Sequence, residues 1–137
     1  MTTHTLRKSV ILAAPRDIVW GYLTQPDKLA LWFHPPKVPL EEGKPLEMFG
    51  ADSGDLLMWG KVITARAPEY LEYTFTIKPM GDAVSLVKWH LEAVETGTRL
   101  SLEHEGLPTG AEPFGLLMAL DKGWDEHLGR MRADIAG

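Results

Sequence analysis

VSLVKWHLEAVETGTRLSLEHE, residues 84–105, alternates along both of its halves. Val87, Trp89, Leu91 and Ala93 fall on one side of the first half, and Lys88, His90 and Glu92 on the other. In the second half Thr98, Leu100, Leu102 and His104 oppose Arg99, Ser101, Glu103 and Glu105. A period of two is that of a half-buried strand. Antiparallel strands with one covered and one wet face read this way. Glu95-Thr96-Gly97 supplies the turn, with glycine where a three-residue hairpin loop takes a positive φ. The hairpin predicts an antiparallel sheet whose inner face is aromatic and ends in His104.

Working outward, Leu6 to Ala13 reads as a first strand, rich in β-branched and apolar residues. Pro15 stands at the first position of a helix with Asp17 in its first turn. Ile18, Val19, Tyr22 and Leu23 give that helix an apolar stripe. Pro26 opens a second short helix carrying Leu29, Trp32 and Phe33, and Pro35, Pro36 and Pro39 then force extended backbone. Pro35-Pro36 is a candidate rim for a cavity mouth. Leu46 to Gly50, Leu56 to Ala65 and Tyr70 to Ile77 read as further strands, with Gly60 as a candidate bulge. Gly106 to Gly110 reads as a linker. From about residue 113 to 135 Phe114, Leu117, Trp124, Leu128, Met131 and Ile135 recur at helical spacing, a helix of roughly 35 Å.

The chain has 137 residues, the size of one domain, and the whole of it, 1–137, is expected to be one. It has no cysteine, which excludes disulfides, thiolate metal sites and cysteine nucleophiles. The net charge of -5 argues against nucleic acid and anionic membranes as partners. No apolar run approaches the roughly 20 residues of a membrane span, and no signal peptide is visible. A cytoplasmic protein is expected. His4, His34, His90 and His127 lack zinc-site spacing. Asp52 and Asp55 lack the periodicity of a calcium loop. Ser53 is misplaced for a nucleophile elbow, and there is no phosphate-binding glycine loop. Neither a cofactor nor a metal is expected.

Several stretches together resemble the START-like, polyketide-cyclase-like (SRPBCC) superfamily. Ala14-Pro15-Arg16-Asp17-Ile18-Val19-Trp20 is similar to its A-P-x-x-x-V-W opening. Gly60-Lys61-Val62, Pro68 to Leu71 with Tyr73-Thr74-Phe75, Val87 to Leu91, Gly97-Thr98-Arg99-Leu100, His104 and Gly123-Trp124 follow in that family's order. The nearest group resembles homologues of the C-terminal domain of the heat-shock-protein-90 ATPase activator. The resemblance implies an α+β helix-grip fold: a strand, two helices, a curved antiparallel sheet of about six to seven strands in all, and a long C-terminal helix over a central cavity. It does not imply one activity, since such a fold hosts carriers, cyclases and co-chaperone domains. The first strand begins within the first ten residues, so the separate N-terminal domain with which the eukaryotic activator engages its chaperone is not expected here.

A long amphipathic helix must bury its stripe, and the inner sheet face is the apolar surface large enough to receive it. The space between is the expected ligand cavity. Its strand-side wall is expected to comprise Tyr73, Phe75, Trp89, Leu91, Leu102 and His104, with Trp32 from the second short helix. Phe114, Leu117, Met118, Asp121 and Trp124 are expected to line it from the long helix. On a helical wheel Asp121 falls near the centre of the stripe formed by Phe114, Leu117, Trp124 and Leu128. There it reads as a ligand anchor or a general acid/base, or as a carboxylate bonded to the backbone or to an arginine near Gly123. His104 reads as an acid/base or ligand contact, or as a histidine satisfied at a strand end. The five tryptophans read as core or as a stacking surface for a flat ligand.

Three functions follow from these readings. The first is a binding protein for an apolar or aromatic small molecule. The second is a cyclase, dehydratase or hydrolase using Asp121 and His104. The third is a chaperone-linked interaction module. A homodimer is compatible with the sequence, which identifies no interface.

Overall fold

The structure, a computed structural model, describes residues 3–108 and 114–137. Strand β1 (Thr3–Leu12) leads into helices α1 (Arg16–Thr24) and α2 (Pro26–Trp32). Strands β2 (Pro45–Phe49), β3 (Leu56–Arg66), β4 (Tyr70–Ile77), β5 (Ser85–Val94) and β6 (Gly97–Pro108) follow, with a single 3-10 turn at Lys78–Met80. Helix α3 (Phe114–Ala136) closes the chain. The strands form one six-stranded sheet in the order β1-β6-β5-β4-β3-β2, antiparallel at every pairing. This is the expected α+β helix-grip architecture. Among the described residues no helix is long and apolar enough to cross a membrane.

The β5–β6 hairpin has the expected phase. Val87, Trp89, Leu91, Leu100, Leu102 and His104 are buried, while His90, Glu92 and Arg99 face water. Its turn is tighter than expected, because Val94 already pairs with Gly97 and leaves Glu95 and Thr96 as the turn. Gly97 has φ 146° and passes the end of β1 so closely that a Cβ would lie 2.1 Å from the Leu12 carbonyl oxygen. Gly97→Ala is therefore expected to cost about 1–3 kcal/mol, read as a lowered urea midpoint; an unchanged midpoint would contradict this packing.

Other boundaries moved for physical reasons. Strand β6 runs to Pro108, through the expected linker, because Leu107 and Pro108 find partners in His4 and Thr3 of β1. Gly106 takes φ 76°, and the buried phase shifts from His104 to Leu107 across it. Gly60 is not itself the bulge; the register of β3 on β4 shifts between Val62 and Thr64. The glycine is needed because a Cβ there would lie 2.0 Å from the Thr74 carbonyl oxygen. The expected helix start at Pro113 and the expected linker end at Gly110 lie outside the described residues.

The core lies between the inner sheet face and the three helices. Trp124, Leu128 and Met131 are the fully buried residues of α3, each worth roughly 1.5–3 kcal/mol in apolar burial. Trp32 closes the layer from α2, donating its indole N–H to the Tyr22 carbonyl at 2.7 Å and meeting Trp89 edge-on at 5.9 Å. Tyr22 donates its hydroxyl to Asp134 at 2.5 Å, which ties α1 to the last turns of α3. That hydrogen bond, with burial, pushes the tyrosine pKa up to about 12.

Candidate functional site

Between the first half of α3 and the strands lies a cavity of about 270 Å³. Phe75, Met58, Leu57 and Ile77 form its sheet wall and Leu116, Ala119, Leu120, Gly123, Trp124 and His127 its helix wall, while Phe33, His34 and Pro79 complete the lining of a half-open space. Ligand pockets start at roughly 300 Å³, and a cavity of about 150 Å³ takes benzene, so the space suits a molecule of one or two rings. Its surface is mainly apolar. His34 and His127 are its ionisable side chains.

Behind the cavity wall runs a closed chain of hydrogen bonds. Trp124 donates its indole N–H to His104 Nδ1 at 3.0 Å. An indole nitrogen only donates, so Nδ1 carries a lone pair and the proton sits on Nε2. Nε2–H then donates to Ser85 Oγ at 2.7 Å, and Ser85 donates to the Phe75 carbonyl at 2.8 Å. His104 has 0 % exposure, and burial pushes its pKa down to about 3. It is neutral, saturated and sealed. A side chain with no spare lone pair or proton performs no acid/base work on a ligand.

At the other end of the cavity the imidazoles of His34 and His127 meet edge-on, centroids 5.4 Å apart, with Phe33 against both. The Arg130 guanidinium contacts His127 Nδ1, and its Nε–H points at the Trp32 carbonyl at 3.4 Å. His127 Nδ1 also lies 3.0 Å from that carbonyl. The 3.0 Å separation is that of an ordinary N–H···O hydrogen bond, and it favours the protonated form of the ring. Burial lowers the pKa of both rings, with Arg130 adding to it; at His127 the hydrogen bond to the Trp32 carbonyl opposes the shift, and the pKa still falls to about 4. Both rings are therefore neutral at pH 7.

The structure corrects the expected place of Asp121. Its carboxylate binds Lys8 Nζ of β1 at 2.6 Å, and its side chain is 48% exposed. Asp125 binds the same ammonium at 3.0 Å. Burial pulls the Lys8 pKa down, but the two carboxylates outweigh it and the value ends above 10.5. Phe114 and Met118, 58% and 56% exposed, also stand outside the cavity. Including Phe114 in the stripe drew its centre toward Asp121. The buried arc is centred on Trp124 and Met131, from which Asp121 lies roughly 60–80° away at 100° per residue. Asp121→Asn is expected to cost about 0.5 kcal/mol or less, because Lys8 keeps Asp125; a larger loss in urea unfolding would refute that.

Of the expected wall, Phe75 and Trp124 line the cavity. Trp32, Tyr73, Trp89, Leu91 and Leu102 pack in the core behind it, none more than 5% exposed, and Trp89 donates its N–H to the Tyr73 hydroxyl at 3.1 Å. Leu117 is half-buried against the core, off the cavity. Phe33, His34 and His127 were not expected as lining. Their signal was the Trp32-Phe33-His34 run ahead of two prolines, and His127 one turn after Trp124 on the same helix. Among the described residues no cluster of three or more His, Cys, Asp or Glu could hold a metal ion.

Residues 13–135 match the family model described as activator of Hsp90 ATPase homolog 1-like protein. No curated protein sequence matches the chain. The fold is similar to that of protein MLL2253 from Mesorhizobium loti, with TM-score 0.82 and 22% identity, over 95% of this chain and 95% of that one. CalU16 from Micromonospora echinospora is similar at TM-score 0.72 and 25% identity, over 94% of this chain and 73% of that one. DynU16, from the dynemicin biosynthetic locus, is similar at TM-score 0.79 and 24% identity; 94% of this chain is covered but 46% of DynU16.

Proposed function

Given that the chain belongs to the family of activator of Hsp90 ATPase homolog 1-like proteins, we propose that it is a cytoplasmic binding protein for an apolar or aromatic small molecule held between α3 and the sheet. The observation that carries this reading is the cavity of about 270 Å³, walled by Phe33, Phe75 and Trp124 and edged by two half-buried histidines. A concave, mainly apolar space with a few polar groups at its edge is the usual form of a small-molecule site. The reading that used Asp121 and His104 as a catalytic pair is withdrawn, since His104 is saturated and Asp121 is bound to Lys8 outside the cavity. ATPase activation is named in the family's description; the cavity speaks for a ligand.

The test uses Gly123, which lines the cavity and whose added Cβ would meet nothing within 4 Å. In wild type, a two-ring aromatic at ten times its Kd adds roughly 1.4 kcal/mol, about 4–6 °C in Tm for a chain of this length. Gly123→Leu fills the space and is expected to abolish that shift while remaining folded. Gly123→Ala, the control, is expected to stabilise by about 0.5–1 kcal/mol through helix propensity. A broad set of one- and two-ring compounds that leaves the wild-type Tm unchanged would overturn the reading, as would a shift that survives in Gly123→Leu.

A further inference from the structure

Helix α3 is held unevenly along its length. Its fully buried residues, Trp124, Leu128 and Met131, all lie in the second half. That half is also tied by Asp125 to Lys8, by His127 to the Trp32 carbonyl and by Asp134 to Tyr22. The first half, Phe114 to Lys122, buries no residue fully. The cavity lies beneath it at Leu116, Ala119 and Leu120. Among the described residues one ion pair, Asp121 with Lys8, joins this half to the sheet. Gly123 stands at the junction. A Cβ there would meet nothing within 4 Å, so packing does not require a glycine, which weakens a helix interior relative to alanine.

Resting on the ligand-binding reading for its purpose, we propose that Phe114 to Lys122 is a movable wall of the cavity, which leaves the sheet as one unit by breaking the helix at Gly123 and releasing Asp121 from Lys8. Segments with few buried apolar contacts are the ones that open locally. A free helix shorter than roughly 12–15 residues is marginal in water, so the detached wall unwinds and does not swing as a rod. In the open form Gly123 caps the shortened helix, a place that glycine takes far better than alanine. Lys8 keeps Asp125 beyond the break, so the second half stays docked. A ligand lying against Leu116, Ala119 and Leu120 holds the wall shut, and the closed volume of about 270 Å³ does not limit what can enter.

Native-state hydrogen exchange on the ligand-free wild type tests this without any variant. Opening as a unit frees the amides from Met118 to Lys122 together with the next four, Gly123 to Glu126, which become the unpaired first N–H groups of the shortened helix. These amides are expected to share one protection factor, about tenfold or more below that of Leu128 to Met131, with the step at His127. Protection that rises smoothly along the helix, as end fraying gives, or that is equal in both halves, overturns the proposal. Gly123→Ala is expected to raise protection by about fivefold from Met118 to Glu126 alone, the difference in helix propensity between the two residues. Asp121→Asn is expected to lower it there by about twofold, the worth of an exposed ion pair. Unchanged protection in Gly123→Ala overturns the hinge. A two-ring aromatic at ten times its Kd is expected to slow exchange of the same amides by about tenfold. A compound that binds and leaves them unchanged overturns the wall's part in binding. If no compound binds, the ligand-binding reading fails, and exchange in the free protein still decides the motion.

Discussion

Trp124→Ala is expected to destabilise the protein by about 3–5 kcal/mol, the cost of truncating a buried aromatic. The indole is 2% exposed and packs on Phe33 at 5.3 Å and edge-on to Trp89 at 5.5 Å. Its loss enlarges the cavity and removes the main anchor of α3. It also strands His104 Nδ1, a buried acceptor whose unmade bond costs about 1–3 kcal/mol. Trp124→Phe separates the two contributions, since it keeps a ring in place and removes only the donor and some volume. It is expected to lose about half as much. Urea unfolding of the three proteins measures this. A loss below about 1.5 kcal/mol for the alanine variant would show that α3 is held elsewhere. Native domains have only about 5–15 kcal/mol in total, so the alanine variant should stand near the threshold of folding.

The second large effect is acid sensitivity. A histidine whose pKa falls from 6.5 to about 3 on folding binds its proton more tightly in the unfolded chain. Between those two values the unfolded state takes up protons that the native state refuses. Stability is therefore full above pH 6.5, falls as pH drops below it, and stops falling near pH 3. From pH 7 to pH 4.5 His104 alone should remove roughly 2–3 kcal/mol. His127, lowered to about 4 for the same first reason, adds a smaller loss because it is partly exposed. His104→Gln is the informative variant. Its amide can accept from Trp124 and donate to Ser85 without titrating. Unfolding free energies at the two pH values should show a clearly shallower acid loss for this variant. An identical loss would place the acid sensitivity elsewhere, in Asp and Glu pairs such as Lys8–Asp121.

The hairpin made most of the sheet legible, because residues 84–105 alternate without interruption and every inward residue is apolar or can be satisfied. Strand β4 was legible for the same reason. The turn of α3 about its own axis was not. Its apolar residues cover more than one face: Leu116, Leu120 and Trp124 line the cavity while Phe114 and Met118 face outward. Periodicity alone cannot rank these; burial of Trp124, Leu128 and Met131 against the core sets the rotation, and Asp121 and Asp125 then fall on the flank beside Lys8 of β1. The candidate site was readable as a region and not as a set of residues. Apart from Phe75, the inward-facing side chains expected from β4, β5 and β6 pack in the core and not on the cavity, as Tyr73, Trp89, Leu91 and Leu102 show. His34 and His127 are ninety-odd residues apart, and no local pattern announces that α2 ends against the middle of α3. His104 was visible as an inward histidine, but its saturation depends on Ser85 and Trp124 together.

The pairing of β1 with β6 has a consequence for how the chain is made. Thr3 meets Pro108, and Leu12 meets Thr98. Strand β1 leaves the ribosome before the other five strands of the sheet and pairs with the last of them, so the four strands between must emerge before that edge closes. At about 5–20 residues per second, β1 waits roughly 5 to 20 s with its hydrogen-bonding edge open. Lys8 waits longer still for its ion pairs with Asp121 and Asp125, since α3 follows β6 in the chain. Such non-local closure makes slow folders, and a nascent chain halted short of β6 would present an unpaired β1 to whatever chaperone or neighbouring chain it meets.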